Sequence, residues 1–475
     1  PGRLYPLGFN QDVQIAKRDF HRVIRRAKRL YWRNLIDSFT DSSAVFKAVR
    51  WLKSPGPFQP PPLQVGDVVY ETQIDKANAL RRATLERRTA DDDIENPWIS
   101  VSFPRSIPFP LEISLDEAQY ATLHTGNTSP GSDNITVDLL KAVWHIIGTH
   151  VRRLFERCLS IGHHPKPFKE AEVVMIAKPG RRDLTSPRAW RPISLLSCLG
   201  KGLERLIARR LAWAAIHYSV LHPQQAGALP KRSATDLVTA LIHDIEEAFA
   251  RNKVATLVTM DIRGAFDTVL RNRLVLRLRE QGWPDHLARW AGSIMSGRSA
   301  RVRYQDTLTS SSPLECGLPQ GSPVSPILFL LYTEPIYRLG NPQGRFGYAD
   351  DTAIQSIGDT IDETTAMASG AIDDMVRWGA TNGVSFDSKK TEVMHFSRSK
   401  LRAAPARSGQ RKRKPWPTIC EDSPTLTAGA KKSLLQERVA LPWRAAIGTS
   451  DLGYGECRSA CLPHGCGIIS GIERV

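Results

Sequence analysis

The spacing of apolar side chains changes along this chain, and each change marks an element. Helical spacing over 11–53 predicts a helix in which Lys17, Arg18, Arg22, Arg25, Arg26 and Arg33 lie among Phe20, Val23, Leu30, Tyr31 and Trp32. Prolines at 54–64 end it. A second helix is expected at 73–90, then a loop in which Asp91, Asp92 and Asp93 are solvated. Ser114 and Glu117 form a capping-box pattern. The long helix predicted at 136–160 carries Leu139, Leu140, Val143, Ile147, Val151, Leu154 and Cys158 on one stripe, and His163 and His164 fall in the loop after it. Glu172 to Ala177 reads as a strand, and a helix with Leu203, Leu206, Ile207 and Leu211 follows Trp190 to Leu196. Ser233 and Asp236 open a helix over 233–251, and further helices are expected at 327–337 and 361–382.

Two short patterns change the picture from packing to chemistry. Phe346 to Ile354 has apolar or aromatic residues on both sides of Asp350 and Asp351, which predicts a tight hairpin with two carboxylates at its tip. An Asp-Asp pair alone is most often a solvated turn. Adjacent carboxylates repel, however, and a fold that holds them together usually gains a divalent cation. Val254 to Asp261 is an apolar run suited to a buried central strand, and it ends on a third carboxylate, Asp261. The stretch 315–329 (ECGLPQGSPVSPILF) combines Gly317, Gly321 and Ser322 with three prolines, a loop that another molecule's backbone can approach closely.

Charge adds a partner class. The 475 residues hold 65 basic and 48 acidic side chains, a net charge of +17, which points to a polyanion. Nowhere does an apolar run reach the roughly 18 residues a membrane span requires. Seven cysteines, an odd number, suggest free thiols and an intracellular, reducing compartment. The chain opens on Pro1 without a charged-then-apolar leader, which reads as a fragment of a longer reading frame.

In order, the motifs SPGSDNI, VVMIAKPGRRD, AWRPISLL, HPQQAGALPKRSATDLV, VTMDIRGAFDTV, GLPQGSPVSPILFLLY, FGYADDTAI and the region around SFDSKKTEVMHF resemble the reverse transcriptase domain of non-LTR (LINE-type) retrotransposons, most closely fungal ones. The resemblance covers about 114 to 398, and the basic helix is similar to the segment preceding the polymerase in such elements. It implies an α+β right-hand polymerase with fingers and an antiparallel palm sheet backed by helices. Asp261, Asp350 and Asp351 match the catalytic carboxylates, with two Mg²⁺ ions as cofactors and Mn²⁺ as an alternative. Phe266 matches the steric gate against a ribose 2′-OH, Lys178 and Arg191 the triphosphate-holding residues, and Gln320 and Gly321 the loop beneath the nascent pair. Lys390 matches a lysine that protonates the leaving pyrophosphate, with Lys389 beside it. An RNA template, a DNA primer or target and dNTPs are the implied partners, and the family implies the nucleus.

Departures from the family set the expected domain limits: a basic helical segment at 1–60, a linker-like region with a short helix at 61–113, fingers and palm at 114–400, and a low-order basic tail at 401–475. Past Leu401 the expected thumb gives way to basic sequence, which reads as truncation, replacement or a frameshift. The tail's Cys457, Cys461, His464 and Cys466 match no standard zinc spacing. Two functions stay open on sequence alone, an RNA-directed DNA polymerase and a non-catalytic relic that binds nucleic acid.

Overall fold

The computed structural model describes residues 11–37, 60–86, 89–102, 105–126, 128–181, 183–388 and 390–398. Two compact units divide after Pro61. In the first, helix α1 (Gln11–Asp37) exposes Arg22, Arg25, Arg26 and Arg29 together with Phe20, Val23, Leu30 and Tyr31. Its expected extension to 53 lies outside the described residues, as does the tail from 401 with its cysteines.

The second unit begins with β1 (Leu63–Val65), β2 (Val68–Tyr70), α2 (Gln73–Thr84), α3 (Leu115–Leu123) and α4 (Val137–Ile161). It continues through β3 (Glu170–Ala177), β4 (Trp190–Leu195), α5 (Cys198–His217), α6 (Ala234–Ala250) and β5 (Val254–Asp261). Next come α7 (Arg271–Glu280), α8 (Asp285–Met295), β6 (Arg298–Tyr304), β7 (Thr307–Leu308) and β8 (Ser312–Leu314). The last elements are α9 (Ser325–Thr333), β9 (Arg345–Tyr348), β10 (Asp351–Gly358), α10 (Ile361–Thr381) and β11 (Glu392–Phe396).

One sheet has the order β11-β5-β10-β9 and is antiparallel throughout. Helices cover both of its faces, which is why β5 is a nearly continuous apolar run. Ala255 and Leu257 face α6, packing with Leu237, Leu241 and Ile245, while Val258 and Met260 point into the larger core with Leu274, Phe329 and Met375. Ala353 and Ile354 of β10 divide between the faces in the same alternation. Each large side chain buried this way contributes about 1.5–3 kcal/mol. Helix α6 is fixed at its start by a complete capping box between Ser233 and Asp236.

A second sheet runs β4-β3-β6-β7, with β8 also on β6, and its β3–β6 pair is parallel. Val173, Met175, Trp190, Val302 and Tyr304 pack with Leu63, Ala77 and Leu80, so β1 and α2 share this sheet's core.

Several expectations need correction. Asp93 is not merely solvated: its carboxylate accepts the backbone N–H groups of Asn272 (2.7 Å) and Arg273 (3.1 Å), capping α7 from 180 residues away. The α4 stripe is rotated, because Leu139 and Leu154 are exposed while Leu140, Trp144, Val151, Phe155 and Leu159 face inward. His164 does fall in the loop after α4, but it is 0% exposed, edge-on to Phe168 and Trp290. The three cysteines among the described residues, Cys158, Cys198 and Cys316, are buried, and none is in a disulfide. No described helix is long and apolar enough to cross a membrane.

Candidate active site

The three carboxylates meet where β5 ends and β10 begins. Antiparallel register sets Asp351 directly opposite Asp261, and Tyr348 opposite Asp351 closes a two-residue turn of Ala349 and Asp350. Ala349 has φ +58, a conformation that normally calls for glycine at the first corner of such a hairpin. The segment after α10 crosses the end of β5: Arg263 N–H donates to Ser385 O (2.8 Å), and Asp387 N–H donates to Asp261 O (2.9 Å). A turn in which Lys390 N–H donates to Asp387 O (3.0 Å) then brings the Lys390 ammonium onto the Asp261 carboxylate. Its neighbour Lys389 lies outside the described residues.

Charge at this point is only partly balanced. Burial pushes Asp351 up to about 7, with Asp350 and Asp261 adding repulsion and Lys390 opposing it. Asp350 is raised for the same leading reason, against the charges of Lys390 and Arg191. The donor set is entirely hard carboxylate oxygen, the chemistry suited to Mg²⁺ or a similar cation. Among the described residues no three His, Cys, Asp or Glu side chains already converge into a cage, and the Lys390 ammonium balances Asp261 in this arrangement. Two further negative charges at one turn still fit added cation charge.

The other expected residues lie on three elements, and of these Arg191 is close enough for its charge to act on Asp350. Arg191 sits on β4 opposite Ile176, and Lys178 directly follows β3, its N–H donating to Ala189 O (2.8 Å). Gln320 and Gly321 are docked on the same strand: Ser194 N–H donates to Gln320 O (2.7 Å), and at Gly321 (φ +121) a Cβ would collide with Ser194 O. Phe266, in a 3-10 turn (Ala265–Thr268), has its ring 5.5 Å from that of Phe329, and its carbonyl accepts Leu318 N–H (2.7 Å). The glycine-proline loop is therefore pinned between β4 and the Phe266 turn.

Sequence reasoning missed the layer that holds these parts. Glu204 of α5, 1% exposed, accepts the Ser322 hydroxyl from beneath the loop. Burial raises Glu204 to about 7 although Ser322, Arg205, Lys201 and Arg298 oppose the shift. Its neighbour His164, with Nε2 3.6 Å from the carboxylate, is lowered to about 3 by burial, then by Lys169 and His163. Burial thus disfavours charge on both groups, and His164 is neutral at pH 7. On the hairpin side, Tyr337 fills the space left by the missing side chain of Gly347, and its hydroxyl lies 3.0 Å from Gln225 Nε2 and 3.4 Å from Thr352 Oγ1. A polar residue ahead of a glycine in HPQQAG was the one available signal.

Residues 176–426 match the family described as reverse transcriptase (RNA-dependent DNA polymerase), and the chain belongs to that family. The relatives it is similar to come from a transposon, a mobile element and a retrotransposable element. The chain is 30% identical over 270 residues to the probable RNA-directed DNA polymerase from transposon BS of Drosophila melanogaster, covering 55% of this chain and 29% of that protein. It is 28% identical over 415 residues to the RNA-directed DNA polymerase from mobile element jockey of Drosophila funebris, covering 79% and 43%. A retrovirus-related Pol polyprotein from type-1 retrotransposable element R2 of Popillia japonica is 32% identical over 221 residues, covering 46% and 29%. These relatives are insect proteins, and they give no support to a fungal type. The chain spans about three to four tenths of their lengths. A solved apo telomerase from Candida tropicalis, truncated from its C-terminal domain, aligns over 49% of this chain and 51% of its own, with 11% identity and a TM-score of 0.37, too loose a likeness to carry weight. The family match runs on to 426, past the 400 boundary expected for the palm.

Proposed function

We propose that this chain is an RNA-directed DNA polymerase that extends a DNA primer on an RNA template with dNTPs. The observation that carries the reading is the register pairing Asp261 with Asp351 beside the Ala349–Asp350 turn, in a chain of the reverse transcriptase family. Asp261, Asp350 and Asp351 would hold two Mg²⁺ ions, which when bound polarise the primer 3′ oxygen and neutralise the triphosphate. The chain's own residues do the positioning, the main task in phosphoryl transfer. Arg191 and Lys178 hold the triphosphate, and Gln320 and Gly321 form a floor under the templating pair. The half-buried Phe266 ring stands where a ribose 2′-OH would collide, favouring dNTPs. As the primer 3′ oxygen bonds to the α-phosphorus, its proton passing to water, Lys390 would donate a proton to the departing pyrophosphate. The basic helix α1 supplies phosphate contacts, and the nucleus is the site of action the family implies.

Primer extension on an RNA template with Mg²⁺ and dNTPs, run beside Asp350→Asn, tests this. The expected result is extension by the wild type and a loss of about 1,000-fold or more in the variant, the scale set by removing a principal source of transition-state charge stabilisation. Equal inactivity of both, with RNA binding retained, would leave only the nucleic-acid-binding relic.

A further inference from the structure

The geometry points to Gln225 as the positioning residue that holds the catalytic hairpin in its strained shape, an inference resting on the polymerase reading. Gln225 is 1% exposed and belongs to none of the helices or strands. Its Oε1 accepts two backbone N–H groups, from Gly227 (3.0 Å) in its own loop and from Ala349 (3.2 Å) at the turn. Two donors at one atom fix which end of the amide is oxygen. The Nε2 end then donates to the Tyr337 hydroxyl (3.0 Å). The side chain thus ties the turn, its own loop and the tyrosine beneath the hairpin together.

Ala349 is where such a tie is needed. A non-glycine residue at φ +58 is strained and persists only when its surroundings over-determine it. At the first corner of a two-residue hairpin the N–H points out of the strand ladder, so its partner must come from elsewhere. Gln225 supplies that partner, one residue before Asp350. Backbone bonds fix the same approach: Ala226 N–H donates to Gly347 O (2.9 Å), and Gly347 N–H donates to Gln224 O (3.0 Å). At Gly227 any Cβ would overlap the Ala349 nitrogen, so the loop can come this close only with glycine there.

The loop is itself anchored. The Arg232 guanidinium donates to the carbonyls of Gln225 (2.6 Å), Pro223 (3.1 Å) and His222 (3.3 Å), and Arg232 directly precedes the Ser233 cap of α6. The His222 ring stacks on Tyr337 at 6.2 Å. Gln225 therefore passes the rigidity of α6 and the Tyr337 core to the two carboxylates without touching substrate or cation.

Two measurements on the same purified chain test this: amide hydrogen exchange and single-nucleotide extension kinetics. Gln225→Met removes both acceptor bonds at similar volume, whereas Gln225→Glu keeps an acceptor oxygen for both N–H groups. In Gln225→Met, exchange at Phe346–Ile354 should accelerate about tenfold or more with helix 234–250 unchanged, since a lost bond of about 1.4 kcal/mol is a factor of ten. Its kcat should fall about 10- to 100-fold, with KM for dNTP and primer-template affinity within about threefold. Gln225→Glu should restore slow exchange at the hairpin, and Tyr337→Phe, which loses the Nε2 partner and the longer Thr352 contact but keeps both acceptor bonds at Oε1, should give a smaller acceleration there. Wild-type exchange at the hairpin in Gln225→Met, or loss of protection spread evenly over the domain, overturns the inference. So does a failure of Gln225→Glu to restore protection. If the wild type extends no primer while the exchange differences appear as expected, the polymerase reading fails and the brace stands.

Discussion

Asp351 and Glu204 are both pushed up to about 7, and burial is the leading cause in each. What surrounds them differs. Asp351 faces two more carboxylates, Asp350 and Asp261, with Lys390 opposing them. Glu204 faces a hydroxyl that donates to it, a neutral His164, and the charges of Lys201, Arg205 and Arg298. At Glu204 the protein has completed the environment, and taking up a proton relieves what strain is left. At Asp351 the next like charge is one residue away on a turn held in an unfavourable conformation, and a cation answers that better than a proton. A raised carboxylate therefore does not by itself mark a reactive centre; like charges forced together do.

The largest expected difference between the two is in activity. Asp351→Asn should lower primer extension by about 100-fold or more, because a carboxylate aimed at the cation charge is lost. Glu204→Gln keeps an acceptor for Ser322 and should stay within about threefold of wild type in the same assay. A Glu204→Gln enzyme as inactive as Asp351→Asn would collapse the distinction.

Stability against pH comes next, and here the two should behave alike in cation-free buffer. Each acid has a folded pKa raised above its unfolded value, so its stabilising contribution is complete below the unfolded pKa and is lost as pH rises toward about 7. Relative to wild type, either amide variant should gain on the order of 3 kcal/mol in denaturant unfolding between pH 4 and pH 8, from about 1.4 kcal/mol per pKa unit. Added Mg²⁺ should then stabilise wild type and Glu204→Gln, and Asp351→Asn much less. Identical Mg²⁺ responses in all three would place cation binding elsewhere.

The smallest effect separates the hydroxyl from the carboxylate it serves. Ser322→Ala leaves Glu204 buried without its donor and should cost about 1–2 kcal/mol at pH 7 in equilibrium unfolding. It should also steepen the decline above neutral pH, since the bond that favours the ionised form is gone. An unchanged unfolding midpoint would show that the loop does not depend on this contact.

The legible and illegible parts of the site divide along similar lines. The hairpin, the buried strand ending on Asp261 and the Ser233 cap were readable because each is encoded within a few neighbouring residues, by alternation or by a fixed three-residue offset. The Lys390–Asp261 contact joins residues 129 apart, and only the resemblance singled out that lysine. Gln225, Glu204 and His164 were missed because their partners lie more than 100 residues away, or, for His164 and Glu204, 40 residues away across an intervening sheet edge. Asp93 looked like one of three solvent-facing aspartates because nothing nearby reveals that it caps α7. Strand β6 (RSARVRY) alternates buried and exposed positions, yet its arginines hid the pattern, one of them buried at Arg298 with its guanidinium on Gly317 O.

The interleaving of the two sheets has a consequence for synthesis. Strand β3 waits for its parallel partner β6, and β5 is made between them but pairs only with strands that come later. From Asp261 to its partner Asp351 is 90 residues (351 − 261), so β5, apolar on both faces, emerges from the ribosome well before β10 exists. At roughly 5–20 residues per second that interval lasts about 5–20 seconds, with an unpaired apolar strand open to other nascent chains. Helix α6, completed just before β5 and packing directly on it, is the first cover available, which makes its capping box a safeguard during translation as well as a feature of the finished domain.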